Sequence, residues 1–434
     1  MLRRLPTAAA LLTLIPSLPA LAQDTTAAVS SGSQFNPLIS LILDGNLYHD
    51  SQRGGGGELI EEMAGISHGA ATGAGEAGLQ NGFNLGESEL VMSAIVDPYF
   101  DGQVTLAVGA EGDVGLEESW LQTRRLPAGL KVKMGKFLSG IGYQNSKHKH
   151  AWDFADQNLA YSGLLGGEGL RDAGLQLTWI APTPVYLQLG VEALQGNDQE
   201  KFGHRVGNDD AAAFMTAATP FPETRNGPRL TTAFIKIAPD LGEVHALQLG
   251  LSWARAGQHQ LLLDPDETPL SGDEYALDGR QQLLGLDAVY KRDSAGEYGA
   301  GDFTLTGEYL RVRNTMTVTA AEAGSPLTAG AAVSGTQSGY YLQAAYGIAP
   351  RWELAARRDV NGLANELDSG GVTTSLPSSQ RSSVSLSFMP SEFSRLRLQA
   401  AQGDIVDQGG ASSRLKQIFL QYTHSLGPHG AHKF

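Results

Sequence analysis

The 434-residue chain contains no cysteine. This absence excludes disulfide bonds, thiolate metal sites and cysteine nucleophiles together. Long apolar runs are also missing, and a helix that crosses a membrane needs about 20 apolar residues in succession. Positive charge is scarce, because 31 lysines and arginines stand against 46 acidic residues for a formal charge of −15. Nucleic-acid binding needs basic patches, so this balance argues against a nucleic-acid partner.

The first 22 residues have the features of an export signal. Arg3 and Arg4 provide a positive start, residues 8–18 form a short apolar run, and residues 20–22 read Ala-Leu-Ala, a small-residue cleavage pattern. We predict a signal peptide over 1–22 and a periplasmic linker over 23–36. Cleavage removes two arginines and no acids, so the mature chain is more acidic still.

After residue 36, apolar and polar residues alternate in segments of about ten residues. Leu247, Leu249 and Leu251 fall on one face of such a segment, with Gln248 and Gly250 on the other, as the period of two in a β-strand requires. We count sixteen predicted strands: 37–48, 84–96, 102–111, 115–125, 130–138, 171–181, 185–195, 229–239, 244–255, 280–292, 302–314, 336–348, 351–360, 380–389, 393–403 and 413–424. The pattern predicts an all-β fold, a transmembrane antiparallel β-barrel of about sixteen strands over 37–424, with a tail over 425–434.

The connections between predicted strands alternate between two kinds. Tight turns set by proline and glycine, such as 126–129 and 239–242, alternate with mostly long polar segments such as 49–83, 139–170 and 196–228. Short periplasmic turns and longer outer loops are typical of outer-membrane barrels. We therefore expect the outer membrane of a Gram-negative bacterium, with its lipid and the barrel assembly machinery as partners. Either Phe434 or Tyr422 could serve as the terminal aromatic assembly signal.

Several motifs resemble one family of bacterial outer-membrane barrels, often labelled zinc-regulated TonB-dependent receptors. They are residues 35–40 (FNPLIS), 83–90 (FNLGESEL), 135–143 (GKFLSGIGY), 150–157 (HAWDFADQ) and 429–434 (HGAHKF). The resemblance implies an outer-membrane uptake receptor or accessory with a link to zinc. TonB-dependent receptors resemble 22-stranded barrels with a plugged lumen, whereas only about 14 residues lie between the predicted signal peptide and the first predicted strand here. The size is similar to that of plug-less sixteen-stranded porins.

The connection 139–170 is the richest in chemistry. The third loop of sixteen-stranded porins commonly folds inward and narrows the pore, so this segment is the predicted constriction. Its candidate residues are His148, His150, Asp153 and Asp156. The alternative is an outward-facing polar loop that Trp152 and Phe154 pack onto the rim of the barrel.

The pair His148 and His150 is also the candidate metal site. Imidazoles suit zinc, and Asp153 or Asp156 could add a carboxylate. The neighbouring Lys147 and Lys149 would repel a dication, which argues against metal binding by this pair. His424, His429 and His432 form a second loose group near the C-terminus, which a flexible tail also explains. Zinc is the one cofactor that the sequence suggests.

Charged residues on the polar faces of the predicted strands are candidates for lining the lumen. They are Lys131, Lys133, Glu192, Glu308, Arg357, Arg395 and Arg397. Opposite signs on facing walls would impose a transverse field on the pore, and the alternative is salt bridging that satisfies buried charge.

The function that we expect is passive diffusion of small hydrophilic solutes, with a mild cation preference from the acidic charge. The alternative is a TonB-linked or zinc-responsive uptake receptor or accessory. A structural surface barrel is a third class. We find no serine, histidine and polar partner arranged for hydrolysis, so an enzyme is not expected. Porins of this size are often trimers, which makes a homotrimer possible.

Overall fold

The computed structural model describes residues 37–66, 79–86, 88–109, 112–197, 199–264 and 270–427. The predicted signal peptide and linker, and most of the predicted tail, lie outside these residues. The strands are β1 Leu38–Asp50, β2 Gly82–Leu85, β3 Ser88–Ile95, β4 Phe100–Val108, β5 Val114–Thr123, β6 Leu130–Leu138, β7 Arg171–Ile180, β8 Tyr186–Leu194, β9 Leu230–Ala238, β10 His245–Leu263, β11 Tyr275–Arg292, β12 Phe303–Ala321, β13 Ala332–Ala349, β14 Trp352–Ser369, β15 Val372–Ser375, β16 Ser379–Ser391, β17 Ser394–Val406 and β18 Ser412–Leu426.

Helical structure in the described residues is limited to single turns and short helices in the connections. The helices are α1 Gly56–Glu61, α2 Leu159–Leu164 and α3 Asn208–Ala211, and the 3-10 turns are Pro127–Gly129, Gln144–Ser146, Lys149–Ala151 and Glu297–Gly299. No helix in this part of the chain is both long and apolar enough to cross a bilayer.

All the strands belong to one antiparallel sheet that closes on itself. The last strand β18 pairs with β1, in a register that runs from Leu41 opposite Leu426 to Asp50 opposite Gln417. Strands β2 and β3 both pair with β1, and β15 and β16 both pair with β14, so each pair forms one interrupted strand. The barrel therefore has sixteen strands, and the predicted fold class is confirmed. The final strand ends at Leu426, two residues beyond the predicted barrel boundary at 424.

The two faces of the sheet differ in chemistry as the alternation predicts. On β7, Leu175 and Leu177 are 55% and 43% exposed, while Gln176 and Thr178 between and after them are each 8% exposed. A ring of apolar side chains on the outer face has no core to cover it, and lipid is the solvent that accepts such a surface. The polar face points inward, where the connections pack against it.

The strands fall into a short set and a long set. Strands β3 to β9 have eight to ten residues each, close to the 9–11 residues that a tilted strand needs to cross a bilayer. Strands β10 to β14 have 18 or 19 residues. The additional length lies at the end of the barrel with the long connections. The predicted ninth strand ends at 255, whereas β10 continues to Leu263 beyond a register shift between Ala256 and His259 that interrupts the alternation.

Candidate functional site

Residues 139–170, which connect β6 to β7, are called the inner loop below. Several of its side chains are almost fully buried: Ile141, Tyr143, Trp152, Phe154, Leu159, Tyr161 and Leu164. Its polar contacts are with inward-facing side chains of strands far away in sequence, as the following paragraphs describe. The alternative of an outward-facing loop is therefore wrong.

The first part of the inner loop is tied to two glutamates of the barrel. Ser139 Oγ and Gly140 N donate hydrogen bonds to Glu192 on β8, at 2.5 and 2.9 Å. Backbone N–H groups of Tyr143 and Gln144 donate to the two oxygens of Glu308 on β12, at 3.0 and 2.6 Å. Both glutamates were predicted as lumen charges. Their carboxylates bind backbone amides instead of facing open water.

The turn at Gly142 requires glycine for two separate reasons. Its φ angle is +59°, in the left-handed region that favours glycine. A Cβ atom at this position would lie 2.3 Å from Tyr161 Oη and 2.5 Å from Glu308 Oε2. The Tyr161 hydroxyl donates to Glu308 at 3.0 Å, so the turn is held closely against β12.

The last part of the inner loop carries Asp156 into a buried ion cluster. Asp156 contacts Arg357 on β14 and Arg381 on β16, each at 2.7 Å, and Arg381 also contacts Asp359 at 2.9 Å. All four side chains are at most 3% exposed. Burial by itself raises the pKa of Asp156, but the charges of Arg357 and Arg381 outweigh it and hold that pKa below its ordinary value. We call Asp156, Asp359, Arg357 and Arg381 the arginine cluster.

Two further arginines bind the middle of the inner loop through its backbone. Arg395 donates to the carbonyl oxygen of His150 at 2.7 Å, and Arg397 donates to that of Trp152 at 2.8 Å. Asp153 accepts a hydrogen bond from Gln343 Nε2 at 2.5 Å. The predicted lumen charges Arg395 and Arg397 therefore position the loop.

The two histidines lie against a group of glutamates on short strands. His148 Nδ1 is 3.2 Å from Glu117 Oε2, and its Nε2 is 3.9 Å from Glu118 Oε1, both on β5. His150 Nδ1 is 2.9 Å from Glu89 Oε1 on β3. We call Glu89, Glu117 and Glu118 the acidic cluster. Its members replace Asp153 and Asp156, which the sequence analysis had suggested as the carboxylates beside these histidines and which the structure places with Gln343 and the arginine cluster.

The acidic cluster determines the charge of His148. Burial by itself lowers the pKa of this imidazole, but the close contact with Glu117 and the charges of Glu89 and Glu118 outweigh it and raise the pKa to about 9. In the absence of any other cation, the ring is therefore protonated at neutral pH. Its partner His150 stacks beside it, with ring centroids 5.9 Å apart.

These contacts show that the inner loop crosses the lumen. Residues 142–144 contact Ser252 on β10 and Glu308 on β12. Six residues later, His148 contacts β3 and β5, about half a turn of the barrel away. The arginine cluster lies on β14 and β16, and the three strands β17, β18 and β1 separate β16 from β3. A transverse field across the pore stays a prediction, and the ion pairs of the arginine cluster agree with the alternative of satisfied buried charge.

A cavity of about 1340 Å³ lies below the inner loop, towards the tight turns. Its lining includes the predicted residues Lys131, Lys133, His148, His150 and Arg395. Among described residues, the cavity lining contains six lysines and arginines and three glutamates: Lys131, Lys133, Lys147, Lys236, Arg351, Arg395, Glu89, Glu118 and Glu392. The local charge is therefore opposite in sign to the charge of the whole chain.

Several functional residues were missed from the sequence. Glu89, Glu117 and Arg381 were not selected, although all three are buried charged residues on strands. Lys236 on β9, also missed, donates to the carbonyl of Gly142 and lies 3.3 Å from Asp287. The signal that could have found them is the inward register combined with charge, but register does not show which strand approaches which part of a loop.

The second histidine group is only partly described. His424 Nδ1 is 2.6 Å from Ser394 Oγ, in a contact between neighbouring strands. His429 and His432 lie outside the described residues. A metal site in this group stays a prediction.

Comparison with solved structures places the fold in a known class. The outer membrane channel DcaP of Acinetobacter baumannii is similar with a TM-score of 0.54 and 11% identity, over 90% of this chain and 97% of that one. A loop-deletion variant of OmpT, an outer membrane protein of Vibrio cholerae, is similar with a TM-score of 0.50 and 11% identity, over 89% of this chain and 98% of that one. The chain is thus a sixteen-stranded β-barrel of the outer-membrane porin type.

Comparison of sequences gives a relative at much higher identity. No family model matches the chain. A protein of Aquifex aeolicus (strain VF5), described as uncharacterized, is 35% identical over 411 residues, which are 93% of this chain and 81% of that protein. The chain belongs to the same family as the Aquifex protein.

Proposed function

We propose that the protein is an outer-membrane channel for passive diffusion of small hydrophilic solutes, with the inner loop as its constriction. The observation that carries this proposal is the path of residues 139–170, which cross the lumen and bind to strands on both sides. A loop fixed at both ends reduces the cross-section without closing the barrel by a separate domain. The similarity to DcaP supports the proposal only through the fold.

We propose further that the cavity below the inner loop attracts anionic solutes. Six basic side chains against three acidic ones line it among the described residues, and local charges at a narrow point select by sign. The mild cation preference expected from the formal charge of −15 predicts the opposite result. The charges at the cavity are closer to a passing ion than those elsewhere, and screening removes interactions beyond about 10 Å.

The absence of cysteine makes a direct test of the constriction possible. Ser146 lies on the inner loop, is exposed and lines the cavity. We expect Ser146→Cys to form channels in planar bilayers whose conductance falls when a thiol reagent is added. Leu251→Cys, on the outer face of β10 with 42% exposure, is the matched control and should not respond. Equal responses of the two variants, or unchanged conductance of Ser146→Cys after complete labelling, would contradict the proposal.

A salt gradient across the same bilayers tests the sign of selectivity. We expect a reversal potential that shows anion preference in the wild type and a smaller preference in Lys131→Gln, since Lys131 lines the cavity. Lys416→Gln, on the outer part of β18 away from this cavity, serves as the control. Cation preference in the wild type would reject the anionic cavity and support the sequence-based expectation.

The alternative is a TonB-linked or zinc-responsive uptake receptor or accessory, implied by the motif resemblance. Such a receptor stays closed without an energised partner, so a folded protein that never conducts in bilayers would favour it. We also propose export by the signal peptide over 1–22 to the outer membrane of a Gram-negative bacterium. The trimer form of OmpT makes a homotrimer the assembly to test, by cross-linking in native membranes.

A further inference from the structure

Three metal-ligating atoms converge where the inner loop meets β3 and β5. His148 Nδ1 is 3.2 Å from Glu117 Oε2 and 3.6 Å from Glu89 Oε2. The ligand atoms of these three residues all lie within 4.8 Å of one another. Two strands and a loop thus supply one donor each at a single point.

The two carboxylate oxygens at this point are buried and lack hydrogen bonds. Glu89 and Glu117 have side chains that are 3% and 6% exposed, and neither Oε2 atom has a hydrogen-bond partner among the described residues. A buried carboxylate oxygen without a partner is costly. A single Nδ1 proton on His148 cannot form two well-directed bonds to both oxygens, whereas a dication between the three atoms would satisfy both.

The remaining oxygens of the same carboxylates are held by other residues. Glu89 Oε1 contacts His150 Nδ1 at 2.9 Å, and Glu117 Oε1 accepts a hydrogen bond from Arg171 at 2.9 Å. Ligating carboxylates in metal sites are usually oriented by such outer hydrogen bonds. Each glutamate is therefore fixed through one oxygen and directs the other towards His148.

The separations agree with the dimensions of a small tetrahedral site. Zinc bonds of about 2.0–2.2 Å at the tetrahedral angle place neighbouring ligand atoms about 3.4 Å apart. The separations of 3.2 and 3.6 Å measured from His148 Nδ1 lie on either side of that value. Glu89 and His148 also line the cavity, so water can supply a fourth ligand.

The lysines that argued against a metal in the sequence are directed elsewhere. Lys149 Nζ is paired with Glu168 at 2.6 Å, and Lys147 Nζ lies over the ring of Tyr143 at 4.0 Å. Glu118 adds a further negative charge, 3.9 Å from His148 Nε2. The immediate surroundings therefore combine two imidazoles with three carboxylates and one arginine.

We propose that Glu89, Glu117 and His148 form a binding site for a divalent transition metal, for which zinc is the appropriate probe. His150 is then a positioning residue for Glu89, not a ligand. The metal connects the inner loop to β3 and β5 through His148, at a point separate from the attachment of the loop to the arginine cluster. The proposal does not depend on the channel function.

The test uses the full exported chain in detergent, freed of metal with a chelator and titrated with zinc chloride by calorimetry. We expect one tight site per chain in the wild type. The isosteric variants Glu89→Gln and Glu117→Gln, and His148→Gln, should each weaken binding at least ten-fold, since a ligand contributes at least as much as the 10–100-fold effect of an outer-shell residue. Heat-modifiable gel mobility and circular dichroism establish that each variant is a folded barrel.

Two matched controls separate this site from other candidates. The variant with both His429→Ala and His432→Ala removes the tail histidines, and Asp273→Asn alters the second group of acids that could hold a metal, Asp264, Asp273 and Glu274. Both controls should keep the tight site. Loss of tight binding in either control, or unchanged binding in His148→Gln, would overturn the proposal.

X-ray absorption at the zinc edge of the wild type does not depend on any variant folding. We expect a first shell of one imidazole nitrogen with oxygen ligands. A shell with two or more imidazoles would assign the zinc to another site and reject this one, as would an absence of stoichiometric zinc.

Discussion

The inner loop is attached to the barrel wall at two points by charged groups of different character. In the arginine cluster, Asp156 and Arg381 are 2% and 1% exposed, and their side chains form an ion pair with each other. Beside the acidic cluster, His148 and His150 are 18% and 19% exposed. Glu89 and Glu117 each have one oxygen that is paired with His148 by charge but lacks a hydrogen bond. In the arginine cluster every charge is buried and paired, so a change there removes an ion pair that nothing replaces. Beside the acidic cluster, the charges are partly hydrated, so a metal ion can replace the proton of His148 as the partner of the carboxylates. We therefore call the arginine cluster the permanent anchor of the inner loop, and the acidic cluster with His148 and His150 its adjustable anchor.

The largest effect should come from breaking the permanent anchor. Asp156→Asn leaves Arg357 and Arg381 buried without their shared carboxylate, so we expect a loss of about 3–5 kcal/mol from the stability of the folded barrel. Chemical unfolding in detergent measures it. Asp404→Asn is the control, because its pair with Arg414 is exposed and 3.9 Å long, and should change stability by less than about 0.5 kcal/mol. Similar values for both would show that the arginine cluster is not an anchor.

A smaller effect is expected at the turn of the inner loop that precedes both of these attachment points. Gly142→Ala introduces a Cβ atom against Tyr161 and Glu308, in addition to left-handed strain, and should cost about 2–4 kcal/mol. Gly370 is a close control, because its φ angle is +62° and a Cβ atom there would meet nothing within 4 Å. Gly370→Ala should cost only about 1–2 kcal/mol. If the two variants unfold alike, the close approach at Gly142 carries no energy.

The adjustable anchor should tolerate change better than the permanent one. In a chelator, Glu117→Gln should reduce stability by about 1–2 kcal/mol, because it weakens contacts to Arg171 and to a partly hydrated His148. The same chemical unfolding measurement applies. A loss of stability as large as that of Asp156→Asn would show that the two anchors do not differ in their contribution to stability.

The smallest effect concerns pH and the contact between the inner loop and residues 196–228. Glu200 accepts a hydrogen bond from Gly167 N at 2.7 Å. Burial and the nearby charge of Glu168 raise the pKa of Glu200 from 4.5 to about 7. The folded state therefore binds this proton more tightly than the unfolded state, so stability falls as pH rises from about 4.5 to about 7 and is level above it.

Hydrogen exchange of residues 163–170 measures that dependence. After correction for intrinsic rates, exchange should accelerate between pH 5 and 7 in the wild type and stay level in Glu200→Gln. Glu168→Gln should shift the transition to lower pH, because it removes a negative charge. A wild type without any transition would contradict the assignment.

The barrel could be predicted from the sequence because alternation is a local property. The sixteen predicted strands agree with the observed ones at most boundaries. The larger differences lie in the long strands, where the predictions stop at 255, 314 and 360 whereas β10, β12 and β14 continue to Leu263, Ala321 and Ser369. For β10 the difference has a physical cause. The bulge near Ala256 reverses the phase of the pattern, and Leu261 to Leu263 then form a continuous apolar run that packs under the connections. A period of two cannot be followed through such a shift.

The inner loop could also be predicted, but its partners could not. Asp153 and Asp156 were assigned to the histidines because they are near in sequence. In an irregular segment that crosses a lumen, residues only a few positions apart in sequence can contact strands on different sides of the barrel. The true partners Glu89 and Glu117 lie 59 and 31 positions before His148, and only the strand order around the barrel brings them together.

The long strands β10 to β14 have a consequence for access to the mouth. At about 3.3 Å per residue, 18 or 19 residues extend far beyond the thickness that eight to ten residues cover. The rim of the barrel is therefore high along the arc formed by β10 to β14 and low along the arc formed by the short strands β3 to β9. For the proposed channel, we therefore expect solutes to approach the opening from the low side of the rim.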